Sequence, residues 1–131
     1  MMTQRKITFA LKKINSSKQQ GNYTEALIKN YHLNLNLIKY IFNNCSATKS
    51  TQNKKFRVLV EELIDELNAN PHYKSIISKT SLKQILPWAL KMEVFFKTLK
   101  LKQPSNTKIL LHDSEHILAI LTISVAKISL N

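Results

Sequence analysis

The sequence predicts an all-α fold, a single-domain up-and-down bundle of four to five helices that spans residues 1–131. A chain of 131 residues is long enough for one domain with its own hydrophobic core. One glycine and three prolines leave little material for β-hairpins or glycine-rich phosphate loops. Apolar residues also recur at helical spacing along most of the chain, which is the primary signal of amphipathic helices.

The first predicted helix covers about residues 3–20. Its core face carries Ile7, Leu11 and Ile14, which lie three or four positions apart. Gly21 follows and is the only glycine of the chain. It fits a left-handed C-terminal cap, a conformation that other residues adopt less readily.

The second predicted helix, about residues 22–45, is apolar around most of its circumference, so we expect neighbours to cover it on several sides. Asn30 and Asn34 lie on the covered side, four positions apart. Buried amides need hydrogen-bond partners, so we expect both to bond to a facing helix. The remaining polar residues form one stripe: Glu25, Lys29, His32, Asn36, Lys39 and Asn43.

A polar basic loop, predicted to be flexible, covers about residues 46–55 and connects to a third amphipathic helix that starts at Phe56. A fourth helix is predicted over residues 81–101, kinked or restarted at Pro87. A short helix over residues 73–77 followed by one over residues 82–90 would give a helix-turn-helix, although Pro87 would interrupt its second helix.

The last predicted helix starts either near Thr107 or at a cap on Asp113 and runs to about residue 129. From Ile117 onward it is apolar nearly all round. Such a helix lies centrally in a bundle or forms part of a homodimer interface, and the sequence leaves both open.

Charge is the strongest functional signal. The chain has 20 basic and 8 acidic residues and a net charge of +12, and Glu25 is the only acid before position 61. A surface so rich in one sign attracts polyanions, so nucleic acid or an acidic protein is the expected partner. The alternative is a solvated lysine coat without a partner.

Arg5 and Arg57 are the only arginines, and lysine contacts phosphate as a point charge where arginine makes bidentate base contacts. This composition favours sequence-tolerant binding of RNA or non-specific DNA. A further basic concentration occurs at Lys97, Lys100 and Lys102. The candidate nucleic-acid-binding residues are Lys12, Lys13, Lys18, Lys49, Lys54, Lys55 and Arg57.

Two features suggest chemistry, each with a simpler explanation. His112 and His116 match the H-x-x-E-H pattern of inverted zinc peptidases, but no acid follows Glu115 to act as a third ligand. Glu93 falls on an apolar helix face and is a candidate buried carboxylate, or a partly exposed one bonded to Lys97. We therefore expect no catalytic residues, metal or cofactor, and an enzyme built on Glu93 or the histidine pair is the third hypothesis.

The cysteine content and the apolar segments of the sequence predict the cellular location of the protein. Cys45 is the only cysteine and cannot form an internal disulfide. The first 20 residues have no apolar core of a signal peptide, and the run Ile117–Ala126 is shorter than a bilayer span. We expect a cytoplasmic protein without a membrane partner.

Residues 5–42 resemble the start of a HEPN domain, a helical bundle of prokaryotic toxin–antitoxin and defence systems. The resembling part is a basic amphipathic helix, then Gly21-Asn22-Tyr23, then a long helix that begins at Thr24. HEPN ribonucleases carry an arginine and, a few residues later, a histidine on a late helix. Neither Arg5 nor Arg57 has a histidine within the next six positions, so the resemblance implies a member without the nuclease residues.

The sequence thus predicts a non-catalytic basic helical module that binds nucleic acid through phosphate contacts, with a toxin–antitoxin or defence-type accessory role implied by the resemblance. The alternative is a protein–protein interaction or oligomerisation module, suggested by the apolar last helix and by the acids gathered in residues 61–66.

Overall fold

A computed structural model describes residues 2–46 and 51–130, without the side chains of residues 129 and 130. These residues form five α-helices and no strand, which confirms the all-α bundle. A single 3₁₀ turn, Pro71–Tyr73, precedes the fourth helix. The helices are α1 (Gln4–Gln19), α2 (Tyr23–Cys45), α3 (Phe56–Ala69), α4 (Lys79–Leu99) and α5 (Thr107–Leu130).

Helix α2 lies at the centre of the bundle. It packs on α1, α3 and α5, with its most extensive interface on α5, while α4 contacts α3 and α5. Helices α2, α3, α4 and α5 therefore surround one core, and α1 covers an outer side of α2. Phe42 and Leu121 are among the fully buried side chains of that core.

The bundle departs from strict up-and-down order at one connection. Phe56 at the start of α3 packs on Tyr31 near the start of α2, with ring centroids 5.0 Å apart. Beyond the other end of α3, the Tyr73 hydroxyl donates to the carbonyl of Asn44 near the end of α2. Helices α2 and α3 therefore run in the same direction.

Local signals in the sequence set several helix ends. The Thr3 hydroxyl accepts from the Lys6 N–H at the start of α1, and Ser78 caps α4 in the same way through the Ser81 N–H. Gly21 has φ +76°. The N–H of Asn22 donates to the Ser17 carbonyl, which closes α1 with the glycine cap that the sequence predicts.

Asn30 and Asn34 are fully buried, as their position in the predicted helix indicated. The Asn34 amide donates to Asn30 Oδ1 at 3.0 Å and to the Ser114 carbonyl of α5 at 3.1 Å. Only Asn34 therefore makes the expected bond to a facing helix. Asn30 Nδ2 and Asn34 Oδ1 have no partner among the described residues.

The structure decides several points that the sequence left open. Helix α5 begins at Thr107, so Asp113 lies inside it. Helix α4 continues through Pro87 without a restart. The helix-turn-helix is wrong, because the segment between Tyr73 and Ser78 forms turns and no α-helix.

Helix α5 is also long and apolar enough to cross a membrane, with a mean hydropathy of 1.4 for the candidate span Thr107–Ile128. The apolar run 117–126, taken alone from the sequence, underestimates the length of the candidate span, because α5 starts ten residues earlier. Core helices pass the same test, and 44% of this window is buried inside the bundle.

Candidate nucleic-acid interface

A cleft of about 600 Å³ opens between α3 and α4, above the Tyr31 side chain of α2. We call it the basic cleft. It collects residues from three helices and from the loop before α3, so it exists only in the folded bundle. Its lining residues are Tyr31, Lys55, Phe56, Arg57, Val58, Glu93, Phe96, Lys97 and Lys100.

Three aromatic rings form the apolar part of the basic cleft. The Tyr31 ring lies 5.0 Å from that of Phe56 and 4.7 Å from that of Phe96, both edge to face. Phe56 packs in turn on the buried Trp88 at 5.5 Å, which anchors the cluster in the core. Burial raises the pKa of the Tyr31 hydroxyl, so it stays protonated at neutral pH. The three cleft rings are only partly buried, so apolar surface remains beside the cations.

Four cations face a single carboxylate in the basic cleft. Glu93 Oε1 lies 3.4 Å from Lys97 Nζ and 3.9 Å from an Arg57 guanidinium nitrogen. Lys55 and Lys100 are exposed, and in the described part of the chain no carboxylate lies within 4.0 Å of either ammonium group. The basic cleft therefore keeps a positive excess that its own acid does not neutralise.

The seven predicted nucleic-acid-binding residues do not lie together in the structure. Lys55 and Arg57 line the basic cleft. Lys54 forms an ion pair with Glu62, and Lys18 forms one with Glu115 at 2.9 Å. Each of these two lysine charges therefore already has a carboxylate partner within the molecule. Lys49 lies outside the described residues.

Lys12 and Lys13 occupy a separate surface on α1. Both are exposed, and Lys13 Nζ lies 4.4 Å from the centroid of the Phe9 ring. Lys13 also lines a smaller groove between α1 and α2 together with His32. The predicted set is therefore not one continuous site.

The sequence prediction missed Lys97, Lys100 and Tyr31 as site residues. Lys97 and Lys100 had been noted only as a local concentration of charge. Lys97 follows Glu93 by four positions and Lys100 follows Phe96 by four, which was the available signal that they share one face of α4. No signal in the sequence connected that face with α3.

Glu93 is a partly exposed carboxylate, which is one of the two alternatives that the sequence left open. Its side chain is 35% exposed and pairs with Lys97 at i+4, which was the simpler alternative. The apolar spacing was misleading because the Arg57 and Lys97 cations reach over this side of α4.

The histidine pair does not form the zinc site of a peptidase. His112 and His116 line a groove between α4 and α5, whereas Glu115 pairs with Lys18 of α1. No group of three or more His, Cys, Asp or Glu side chains suited to a metal ion occurs among the residues that the structure describes.

Cys45 lies buried at the end of α2, a position that suits a packing residue. Burial, with a smaller effect of the nearby Glu66 charge, raises the pKa of its thiol to about 11. A cysteine nucleophile needs a lowered pKa, so Cys45 lacks the setting of a catalytic thiol.

No protein-family model matches this chain, and neither a curated protein nor a solved structure matches it.

Proposed function

We propose that this protein is a non-catalytic helical module that binds nucleic acid, RNA or non-specific DNA, through phosphate contacts in the basic cleft. The observation that carries the proposal is the placement of Lys55, Arg57, Lys97 and Lys100 around partly buried aromatic rings. Cations neutralise the phosphate backbone, and ring faces offer stacking surface to unpaired bases.

Two features support sequence-tolerant binding in preference to base readout. Three of the four cations of the basic cleft are lysines, and the single arginine already shares its guanidinium between Glu61 and Glu93. Lysine ammonium groups rotate freely and contact phosphate without a fixed geometry. The expected affinity therefore depends on salt and little on sequence.

The test is a fluorescence-anisotropy titration of single-stranded RNA, single-stranded DNA and duplex DNA at two salt concentrations. The double variant Lys55→Gln/Lys100→Gln removes the two cleft cations without a carboxylate neighbour. We expect it to raise Kd roughly tenfold on every sequence and to reduce the slope of log K against log salt by up to about 2.

The matched control is Lys74→Gln/Lys79→Gln, which makes the same change of net charge at the other end of α4. Lys79 and Lys97 are separated by roughly 27 Å along the helix at about 1.5 Å per residue. If both double variants lose the same affinity, general charge and not the basic cleft carries binding. Absence of binding by the unaltered protein at low salt would refute the proposal.

The second candidate function is the docking of an acidic protein, and the outer face of α4 favours it. Leu90 and Val94 are exposed one turn apart on α4, and Leu101 follows just after the helix with 88% of its surface exposed. Lys97 and Lys100 border these residues in sequence, so the surface combines apolar contacts with positive charge. Loss of binding to an acidic amphipathic peptide in Leu90→Ser/Val94→Ser, with nucleic-acid binding intact, would support this candidate.

Three further points stay proposals. We propose a HEPN-like relationship without nuclease residues, and with it the toxin–antitoxin or defence-type role, on the resemblance of residues 5–42.

We also propose a cytoplasmic location, on the single cysteine and the apolar segments considered in the sequence analysis. Homodimerisation through α5 would use Ile109 and Ile123, the large apolar residues that the described part of this helix exposes.

A further inference from the structure

A second concave surface, a groove of about 490 Å³, lies between α4 and α5 on a different side of α4 from the basic cleft. We call it the α4–α5 groove. Its polar lining comes from Lys83, Gln84 and Lys91 on α4 and from His112, Asp113 and His116 on α5. The nucleic-acid proposal uses none of these residues.

The charges of the α4–α5 groove favour an anion. Asp113 is its only carboxylate and lies 3.5 Å from Lys91 Nζ, so Lys83 remains as the cation without an acidic neighbour in the lining. His112 and His116 are exposed, and each imidazole can offer an N–H donor to an anion. A metal cation would be repelled by the lysines, whereas an anion gains from every charged group except Asp113.

The hydrogen bond between His116 and Gln84 orients one imidazole. His116 Nε2 lies 2.7 Å from Gln84 Oε1, and because an amide oxygen only accepts, this hydrogen bond requires the proton on Nε2. In the protonated ring Nδ1 is a donor as well. His116 can therefore donate to an anion while Gln84 holds the ring.

The floor of the groove is apolar and rigid. Trp88 and Ile117 are buried beneath it, and the indole N–H of Trp88 is fixed by a 2.7 Å bond to Ser114 Oγ. Pro87, whose ring lacks an N–H donor, also lines the groove. A ligand with both a charged head and a less polar body fits these walls better than a bare ion.

We propose that the α4–α5 groove binds a small phosphomonoester, a molecule with a phosphate head and an organic body. Lys83 of α4 and His112 and His116 of α5 line the groove from both helices, and together they can offer three donors to the three terminal oxygens of a phosphate. Lysine and histidine donate one bond at a time, whereas carboxylate recognition favours the arginine fork that is absent from this lining. Lys91 becomes a fourth donor when the ligand draws it from Asp113.

The test uses Trp88, which is the only tryptophan of the chain and lies in the groove floor. Phenyl phosphate is titrated against the full chain at about pH 6 and about pH 8, and Trp88 fluorescence is recorded. We expect a saturable change at the lower pH and weaker binding at the higher pH. Phenyl sulfate, with one negative charge less than the phosphate dianion, should bind more weakly.

Variants assign the effect to the groove. Lys83→Gln should raise Kd roughly tenfold at both pH values, the loss expected for one charge-assisted hydrogen bond. His112→Gln/His116→Gln should weaken binding at the lower pH and leave only the pH dependence of the phosphate, which itself titrates near pH 6. Lys74→Gln, outside the groove, is the control and should bind as the unaltered protein does.

A Trp88 signal that does not saturate, or equal binding by Lys83→Gln and the unaltered protein, would overturn the proposal. So would equal pH dependence in the double histidine variant and the unaltered protein. Trp88 also packs on Phe56 of the basic cleft, so a signal that Lys83→Gln leaves unchanged would place the probe in the basic cleft and overturn this proposal without refuting the proposed function.

Discussion

The indole N–H of Trp88 on α4 donates a 2.7 Å hydrogen bond to the hydroxyl of Ser114 on α5, and both side chains are buried. The backbone carbonyl of the same serine accepts from Asn34 of α2. Ser114 therefore joins three helices at one level of the bundle. Polar groups at this depth need partners, and Ser114 supplies them to two neighbours.

Replacement of that serine should destabilise the protein measurably. Ser114→Ala leaves the Trp88 N–H buried without an acceptor, which costs about 1–3 kcal/mol of unfolding free energy. Urea unfolding followed by Trp88 fluorescence measures this cost. Ser105→Ala changes an exposed serine and should leave the midpoint unaltered. A loss of less than about 0.5 kcal/mol in Ser114→Ala would mean that the indole finds another acceptor.

The glycine cap of α1 gives a prediction about backbone strain alone. Gly21 has φ +76°, and a Cβ placed there meets no atom within 4 Å. Gly21→Ala should therefore cost about 1 kcal/mol through its backbone conformation and not through a clash. Gly21→Asn should cost less, because asparagine adopts the left-handed region more readily. Equal losses in the two variants, measured by thermal unfolding, would contradict this explanation.

Local features of the fold could be predicted from the sequence because they depend on residues that are close together in the chain. The position of Gly21, the Phe56 start of α3 and the burial of Asn34 all follow from helical spacing or from backbone preference. The parallel arrangement of α2 and α3 does not, since it depends on which apolar faces meet across the core. Several pairings satisfy the same pattern of apolar residues.

The site was only partly predictable for the same reason. Lys55 and Arg57, two of the candidates, line the basic cleft, but Lys97 and Lys100, which line it with them, lie about 40 positions later on α4. Charge counts cannot tell a free lysine from a paired one. Lys18 and Lys54 looked equivalent to Lys55 until the fold placed Glu115 and Glu62 beside them.

Cys45 should react slowly with thiol reagents in the folded protein. Its pKa of about 11 lies above the ordinary thiol value of 9.0, so at about pH 8 the thiolate fraction is lowered roughly a hundredfold. Ellman's reagent should therefore modify folded Cys45 at least that much more slowly than the same protein in concentrated urea. Modification at similar rates in both conditions would show that the α2 end opens readily.

Glu93 gives the sharpest test of the basic cleft, because it is the only carboxylate in the lining. Glu93→Gln frees Lys97 from its ion pair and leaves Arg57 paired with Glu61 alone, so it should tighten nucleic-acid binding roughly twofold to fivefold at low salt, an effect that screening reduces as salt rises. Stability should change little, since exposed ion pairs contribute at most about 1 kcal/mol. The measurement is the same anisotropy titration.

Glu25→Gln is the matched control for this change. This substitution removes one negative charge and breaks the i,i+4 ion pair between Glu25 and Lys29. Glu25 lies near the start of α2 and not in the basic cleft. Both variants raise the net charge equally, so any difference between them reports the local field of the cleft. Equal gains in affinity in the two variants would show that binding responds to total charge. This result would contradict the assignment of the basic cleft as the interface.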